Sequence, residues 1–242
     1  MVTNSVTDSY SIALETSGRI GGVAIGRGAD IHDAASFHTT LNHGVELLPT
    51  IDRLCREHGI PPSGIGQVYF SGGPGSFTGL RIGVTVARTL AWAGGIGVVR
   101  VPTLDVIAQN ALSLEDPPAN LGVVLDAKRG HVYAAAFVRR RDRYERVSDP
   151  AEWDPAHFFQ TLPESAAVIG EGMERIRDLP SAGGFAVLPE ETWPPQAEVV
   201  YRLGFDRASA GDFDDPANLI PIYIRRPEAE EVWEREHGHR DD

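Results

Sequence analysis

The sequence predicts an α/β fold built from a duplicated unit, with a cleft between its two halves. Three observations carry this expectation. Short apolar runs alternate with longer segments whose apolar residues recur at helical spacing. Two segments, Ile12-Ala13-Leu14-Glu15 and Val123-Val124-Leu125-Asp126, each end a strand in a carboxylate, and each is followed by a short polar turn and another apolar strand; the offset is 111 residues. Between them, Glu115-Asp116-Pro117-Pro118-Ala119 has the composition of a linker.

The elements follow in order. Residues 10–14 and 22–25 flank a Gly-containing turn and read as a hairpin, with 34–37 as a third strand. Leu47, Leu48, Ile51, Leu54 and Cys55 then mark a helix over about 43–58, which Gly59 and Pro61-Pro62 stop. Residues 67–70 form a strand, and a glycine-rich loop leads into a helix over about 76–93. Arg81, Thr85, Arg88 and Thr89 share one face of that helix. The rest of its circumference is apolar or small, an arc wide enough to touch neighbours on more than one side. A strand at 97–101 and a helix from Pro102-Thr103 to about Leu112 complete the first half. The second has a hairpin at 121–126 and 132–138, a helix near 155–162, a strand at 166–169 and a helix near 196–208. The divisions expected are 9–114, 120–226 and a charged tail over 227–242.

Composition narrows the classes of function. The 242 residues are 42% hydrophobic, enough for a substantial core, and no run of about 18 apolar residues could span a membrane. Met1–Ser9 lacks the form of a secretory signal, and Cys55 is the single cysteine, so a cytoplasmic setting is expected. The net charge of −12 repels phosphate backbones at long range, so any role with RNA needs a local basic patch or a basic partner. Arg139-Arg140-Arg141-Asp142-Arg143, with Lys128 and Arg129, is the one basic cluster. It reads as a solvated strand end, with RNA phosphates as the alternative contact.

The most informative stretch is Gly72-Gly73-Pro74-Gly75-Ser76-Phe77-Thr78-Gly79-Leu80-Arg81-Ile82-Gly83. Its glycines would let backbone amides approach a ligand or another chain; equally, they would make a tight strand-to-helix connection with Ser76 or Thr78 as N-cap. It is not a P-loop, because no Lys-Ser or Lys-Thr follows the glycines. Glu15 and Asp126, at equivalent strand ends, could hold Mg²⁺ and a nucleotide across a cleft, or could bond nearby backbone amides as turn residues; the second reading is favoured. Cys55, on an apolar stripe, is expected to be a buried thiol.

As a string, residues 72–83 resemble the signature of the TsaB (YeaZ) family, a branch of the Gcp-like proteins with the actin/hexokinase-like (ASKHA) fold. Ile12-Ala13-Leu14-Glu15-Thr16-Ser17 resembles the family's opening strand, where Asp is common at position 15. His43-Gly44-Val45-Glu46-Leu47-Leu48-Pro49 resembles its first helix, Leu125–Tyr133 its second hairpin, and Pro221-Ile222-Tyr223-Ile224-Arg225 its C-terminal motif. The resemblance implies two lobes of mixed sheets flanked by helices, the second lobe reduced. It also implies a non-catalytic scaffold that pairs with a TsaD-like catalytic paralogue, joined by a TsaE-like ATPase, for N6-threonylcarbamoylation of adenosine 37 in tRNA. Homodimerisation is expected when the paralogue is absent, and tRNA contact only through the complex.

No catalytic or metal residue is assigned. The active paralogue's metal-binding histidines stand one helical turn apart, and no two of the eight histidines here are four apart. The partner-binding residues implied are His43, Leu47, Leu48, Ile51, Leu54, Phe77, Leu80, Arg81, Val84, Ala87, Arg88 and Ala91. On that basis Leu80→Arg or Val84→Arg weakens pairing. Glu15, Thr16, Ser17 and Asp126 are the weaker cofactor-binding set; no cofactor is required, and ATP or ADP at the partner interface is the one the resemblance brings in. The competing readings are an ASKHA-type ATPase or small-molecule kinase, a Gcp-like metallopeptidase, and a self-associating module unrelated to tRNA.

Overall fold

The computed structural model describes residues 6–37, 43–176, 178–179 and 184–225. In chain order, β1 (Tyr10–Glu15), β2 (Gly21–Arg27) and β3 (Asp30–Phe37) form an antiparallel meander. They are followed by α1 (His43–Glu57), β4 (Ile65–Gly73), α2 (Phe77–Gly94), β5 (Gly97–Pro102) and α3 (Thr103–Asn110). The second half comprises β6 (Asn120–Asp126), β7 (Val132–Arg140), β8 (Arg143–Arg146), β9 (Ala151–Trp153), α4 (Pro155–Thr161), β10 (Ala167–Ile169), α5 (Met173–Ile176), β11 (Ala186–Val187) and α6 (Ala197–Ser209).

Two mixed sheets result, ordered β3-β2-β1-β4-β5 and β11-β10-β6-β7-β8, with β9 paired to β7. The equivalent strands β1 and β6 are each antiparallel to the next strand and parallel to a later one, β4 or β10. The duplication read from the two strand ends is thus present in the topology.

The first sheet is covered on both faces, and the two-residue period of its strands sorts their side chains. Ile12, Leu14, Val23, Ile25, Val68 and Phe70 pack with Leu47, Ile51 and Leu54 of α1 and Val84, Ala87 and Ala91 of α2. The alternate residues Ala13, Ala24, Tyr69, Val99 and Val101 pack with α6 and with Val106 of α3. Small residues at 13 and 24 make room for Tyr69 and Tyr201, whose rings meet edge-on at 5.6 Å. The second sheet has its own core, in which α3 contributes Leu104, Ile107 and Ala108. α3 therefore serves both halves.

This corrects the expected division. The helix near 196–208 exists, but α6 packs against β1, β2, β4 and β5, so residues 120–226 do not form a lobe by themselves. The short elements β8, β9, α5 and β11 were not anticipated; at two to four residues each, they carry too little periodicity to read. The expected tail over 227–242 lies outside the described residues.

Candidate functional site

α2 begins where the glycine-rich loop ends. Ser76 caps it, its Oγ accepting from the Gly79 amide at 3.3 Å, and Gly95 closes it in the left-handed conformation at φ 61°. The loop glycines serve close packing. A β-carbon on Gly75 would come within 2.5 Å of the Ser17 carbonyl oxygen, and one on Gly79 within 3.1 Å of the Thr16 carbonyl carbon. The Ser76 amide donates to that Ser17 oxygen at 2.8 Å. The tight-connection reading of the motif is the one the geometry supports.

The turn on which α2 rests is itself closed. Glu15 is buried, and its Oε1 accepts from the Ser17 amide at 2.6 Å, the Ser17 hydroxyl at 2.6 Å and the Gly18 amide at 3.2 Å. Its Oε2 and the Thr16 hydroxyl are buried with no partner among the described residues. Desolvation pushes the Glu15 carboxyl above its usual range, against the pull of the Ser17 and Gly18 hydrogen bonds. Asp126 lies in a more open turn, accepting from the Lys128 amide at 2.8 Å and ammonium at 2.7 Å, with the Arg175 guanidinium at 2.7 Å. Its partial burial raises its pKa, but the Lys128 bonds and the Lys128 and Arg175 charges outweigh this and hold it low. The four residues of the weaker cofactor-binding set thus lie in two turns of different character. Glu15 and Ser17 are buried and bonded to each other, Thr16 is buried with its amide on the Ser71 hydroxyl, and Asp126 is already paired with Lys128 and Arg175.

The two halves are joined across this turn. Arg19 makes a two-pronged pair with Glu174 at 2.8 and 2.7 Å. The segment 219–225 runs the same way. The Ile222 amide donates to the Gly72 carbonyl at 2.7 Å, Arg100 donates to the Ile220 carbonyl at 2.8 Å, and Arg225 pairs with Glu152 and donates to the Ala127 carbonyl at 3.1 Å.

α1 and α2 pack side by side on one face of the first sheet. Of the twelve residues expected to meet a partner, Leu47, Ile51, Leu54, Leu80, Val84, Ala87 and Ala91 are buried within this chain. Their i, i+4, i+7 spacing, which marked the helices, is the spacing the sheet itself requires. Leu48 and Phe77 do face outward, at 53% and 42% exposure, as do Arg81 and Arg88. The side chain of His43 lies outside the described residues. Two outward apolar residues were missed: Val45 at 67% and Trp92 at 85%. Trp92 stands four residues after Arg88 on the face that Arg81, Thr85 and Arg88 define, so its spacing could have revealed it. Near the start of α2, Arg81 lies 4.0 Å over the Phe77 ring, and Phe77 meets Tyr223 of the C-terminal segment at 5.6 Å. The outer surface of α2 is thus apolar at its ends and cationic or hydroxylic between, while α1 adds Val45 and Leu48 near its start and the ion pairs Arg53–Glu57 and Arg56–Asp52 further on.

A family model described as "TsaD: tRNA N6-adenosine threonylcarbamoyltransferase" matches residues 38–178. The chain is 28% identical over 229 residues to the tRNA threonylcarbamoyladenosine biosynthesis protein TsaB of Bacillus subtilis (strain 168), covering 92% of this chain and 96% of that one. It is 32% identical over 177 residues to the TsaB protein of Haemophilus influenzae, covering 73% of this chain and 70% of that one. Among solved structures, YeaZ from Pseudomonas aeruginosa superposes with a TM-score of 0.75 at 26% identity, over 89% of this chain and 99% of that one. A second Pseudomonas aeruginosa structure, described as similar to peptidase YEAZ, shares the fold at a TM-score of 0.79 and 24% identity, over 90% of this chain and 100% of that one.

Proposed function

Because this chain belongs to the TsaB family of tRNA threonylcarbamoyladenosine biosynthesis proteins, we propose that it acts in that modification as a non-catalytic scaffold. Its outer α1–α2 surface holds a TsaD-like catalytic paralogue in the competent conformation, and a TsaE-like ATPase joins the pair. When the paralogue is absent, a second copy of the chain covers the same surface, since an isologous pairing hides the same patch. The chain requires no cofactor of its own; ATP or ADP belongs to the partner interface.

The supporting observation is the apolar set Val45, Leu48, Phe77 and Trp92, left exposed on two neighbouring helices whose inner faces are fully used by the sheet. A tryptophan at 85% exposure contributes little to the monomer's own stability, and covering it in a partner regains about 25 cal/mol per Å² before association costs. Leu80 and Val84, the substitutions suggested by sequence, are unsuitable tests because a charge there would unfold the first core.

Leu48→Arg and Trp92→Ala test the reading directly. Titrated against the catalytic paralogue by calorimetry, each should weaken binding by about tenfold or more with little change in melting temperature. The purified chain alone should transfer no threonylcarbamoyl group, and the assembled enzyme should lose activity without it. Unchanged dissociation constants for both variants would remove this face as the interface, and turnover by the isolated chain would overturn the scaffold role.

A further inference from the structure

A cleft of about 1190 Å³ opens between α3 with the turn that follows it, the β7–β8 hairpin and α6. Arg139, Arg140, Arg141, Arg143, Arg146 and Arg202 line it, against the carboxylates Asp105, Asp142, Glu145 and Asp206. Six cations facing four anions leave a local excess of two positive charges on a chain whose net charge is −12. Arg140 and Arg143 share Glu145 at 3.1 and 3.0 Å, and Arg146 pairs with Asp105 at 3.1 Å. Arg139, Arg141 and Arg202 have no ion-pair or side-chain hydrogen-bond partner among the described residues. They stand on two separate elements: Arg139 and Arg141 on the hairpin, and Arg202 on α6, far away in sequence.

Local turn geometry does not by itself call for an arginine at position 141. β7 and β8 are joined through Arg141 and Asp142, and Arg141 holds φ at 58°, a left-handed position that hairpin turns ordinarily give to Asn or Gly. The amides of α3 that face the cleft are committed elsewhere. Gln109 bonds the Tyr144 backbone in both directions at 2.9 Å, and the Asn110 nitrogen donates to the Thr192 and Pro194 carbonyls at 2.9 and 2.8 Å. What these walls offer a ligand is therefore charge, in guanidinium forks suited to phosphate oxygens.

The geometry points to this cleft as a binding site for an RNA phosphate backbone, read without regard to sequence. An acidic protein admits a polyanion only where its own field is locally reversed, and the α6 cleft is such a place. A polyanion contacting both walls would draw on the two unpaired hairpin arginines and on Arg202 together. The inference rests on the reading that the chain acts in tRNA modification, and it replaces the expectation that tRNA meets this chain only through other subunits. The cleft also lies apart from the proposed partner face: α6 covers the opposite side of the first sheet from α1 and α2, so RNA and paralogue can be bound at once.

The test uses the full chain, alone and assembled with its paralogue, and fluorescence anisotropy with a labelled tRNA transcript carrying adenosine 37. The wild-type chain should bind with an affinity that falls steeply as salt rises. The triple variant Arg139→Gln/Arg141→Gln/Arg202→Gln should bind at least tenfold more weakly. Its log K against log salt slope should be shallower by about two to three, since each phosphate contact contributes just under one. A melting curve checks that the triple variant folds, and Arg202→Glu alone should reproduce most of the loss. Equal affinity and slope for wild type and triple variant would overturn the inference, as would no RNA binding by wild type or its displacement by equimolar inorganic tripolyphosphate, which would mark a small-anion site. The two proposals fail separately: the triple variant should bind the paralogue normally, and Trp92→Ala should bind RNA normally.

Discussion

Gly79→Ala tests the claim that the signature glycines exist for packing. Gly79 lies in the first turn of α2, where alanine would ordinarily improve helix stability by about 1 kcal/mol. The added β-carbon would sit 3.1 Å from the Thr16 carbonyl carbon and 3.4 Å from the Ser76 β-carbon, and closer still to the Thr16 carbonyl oxygen. That carbonyl cannot easily recede. The Thr16 amide donates to the Ser71 hydroxyl at 3.3 Å, the following turn is tied by the Glu15 carboxylate, and Ser17 accepts from Ser76 at 2.8 Å. Overpacking of this kind costs about 1–3 kcal/mol, and contact with fixed backbone belongs at or above the upper end. After the propensity gain, a net loss of about 2 kcal/mol remains, or roughly 4–8 °C in melting temperature for a chain of this size. Gly44→Ala is the control, because its β-carbon would meet nothing nearer than Ile82 Cδ1 at 3.7 Å, an ordinary contact. It should match the wild type or gain up to about 1 kcal/mol. Urea titration and calorimetry measure both. If Gly79→Ala proves as stable as Gly44→Ala, the packing account of the motif is wrong.

Two further outcomes follow from the turn and the C-terminal segment. The Glu15 carboxyl is raised above its ordinary range by burial, so the folded chain holds that proton more tightly than the unfolded one. Its contribution to stability is present at low pH and lost as pH rises through the folded value; Glu15→Gln lacks this dependence, so the wild type should lose ground to it between pH 5 and pH 7.5. An equal difference at both pH values in urea unfolding would contradict the burial argument. Arg225→Ala removes the pair with Glu152 and the bond to the Ala127 carbonyl, and should destabilise by about 1–2 kcal/mol. Faster proteolytic cleavage within 219–225 would show that the segment has come loose, whereas unchanged cleavage would mean that other contacts, such as Ile222 to Gly72, hold it unaided.

The partner-facing expectation shows how far pattern can be read. The apolar arc of α2 is legible in the sequence, but Leu80, Val84, Ala87 and Ala91, which the resemblance gives to a partner, are buried within this chain. Periodicity states which residues share a face of a helix; it does not state which neighbour covers that face. Val45 and Trp92 lie outside that inward face, and reading them as outward takes the inward face first.

The sequence by itself determined the order and kind of the main elements, the repeated strand–carboxylate–strand unit, a hydroxyl cap at Ser76 or Thr78 and the family signature, because these rest on spacing within a few residues. Only the tertiary structure decided that α6 crosses back to the first sheet, that Glu15 is sealed under α2, and that Arg202 stands across a cleft from Arg139 and Arg141. Each of those is a contact between residues dozens of positions apart or more. Their energies depend on burial and charge that come into being only when distant segments meet, and a local pattern carries no record of that meeting.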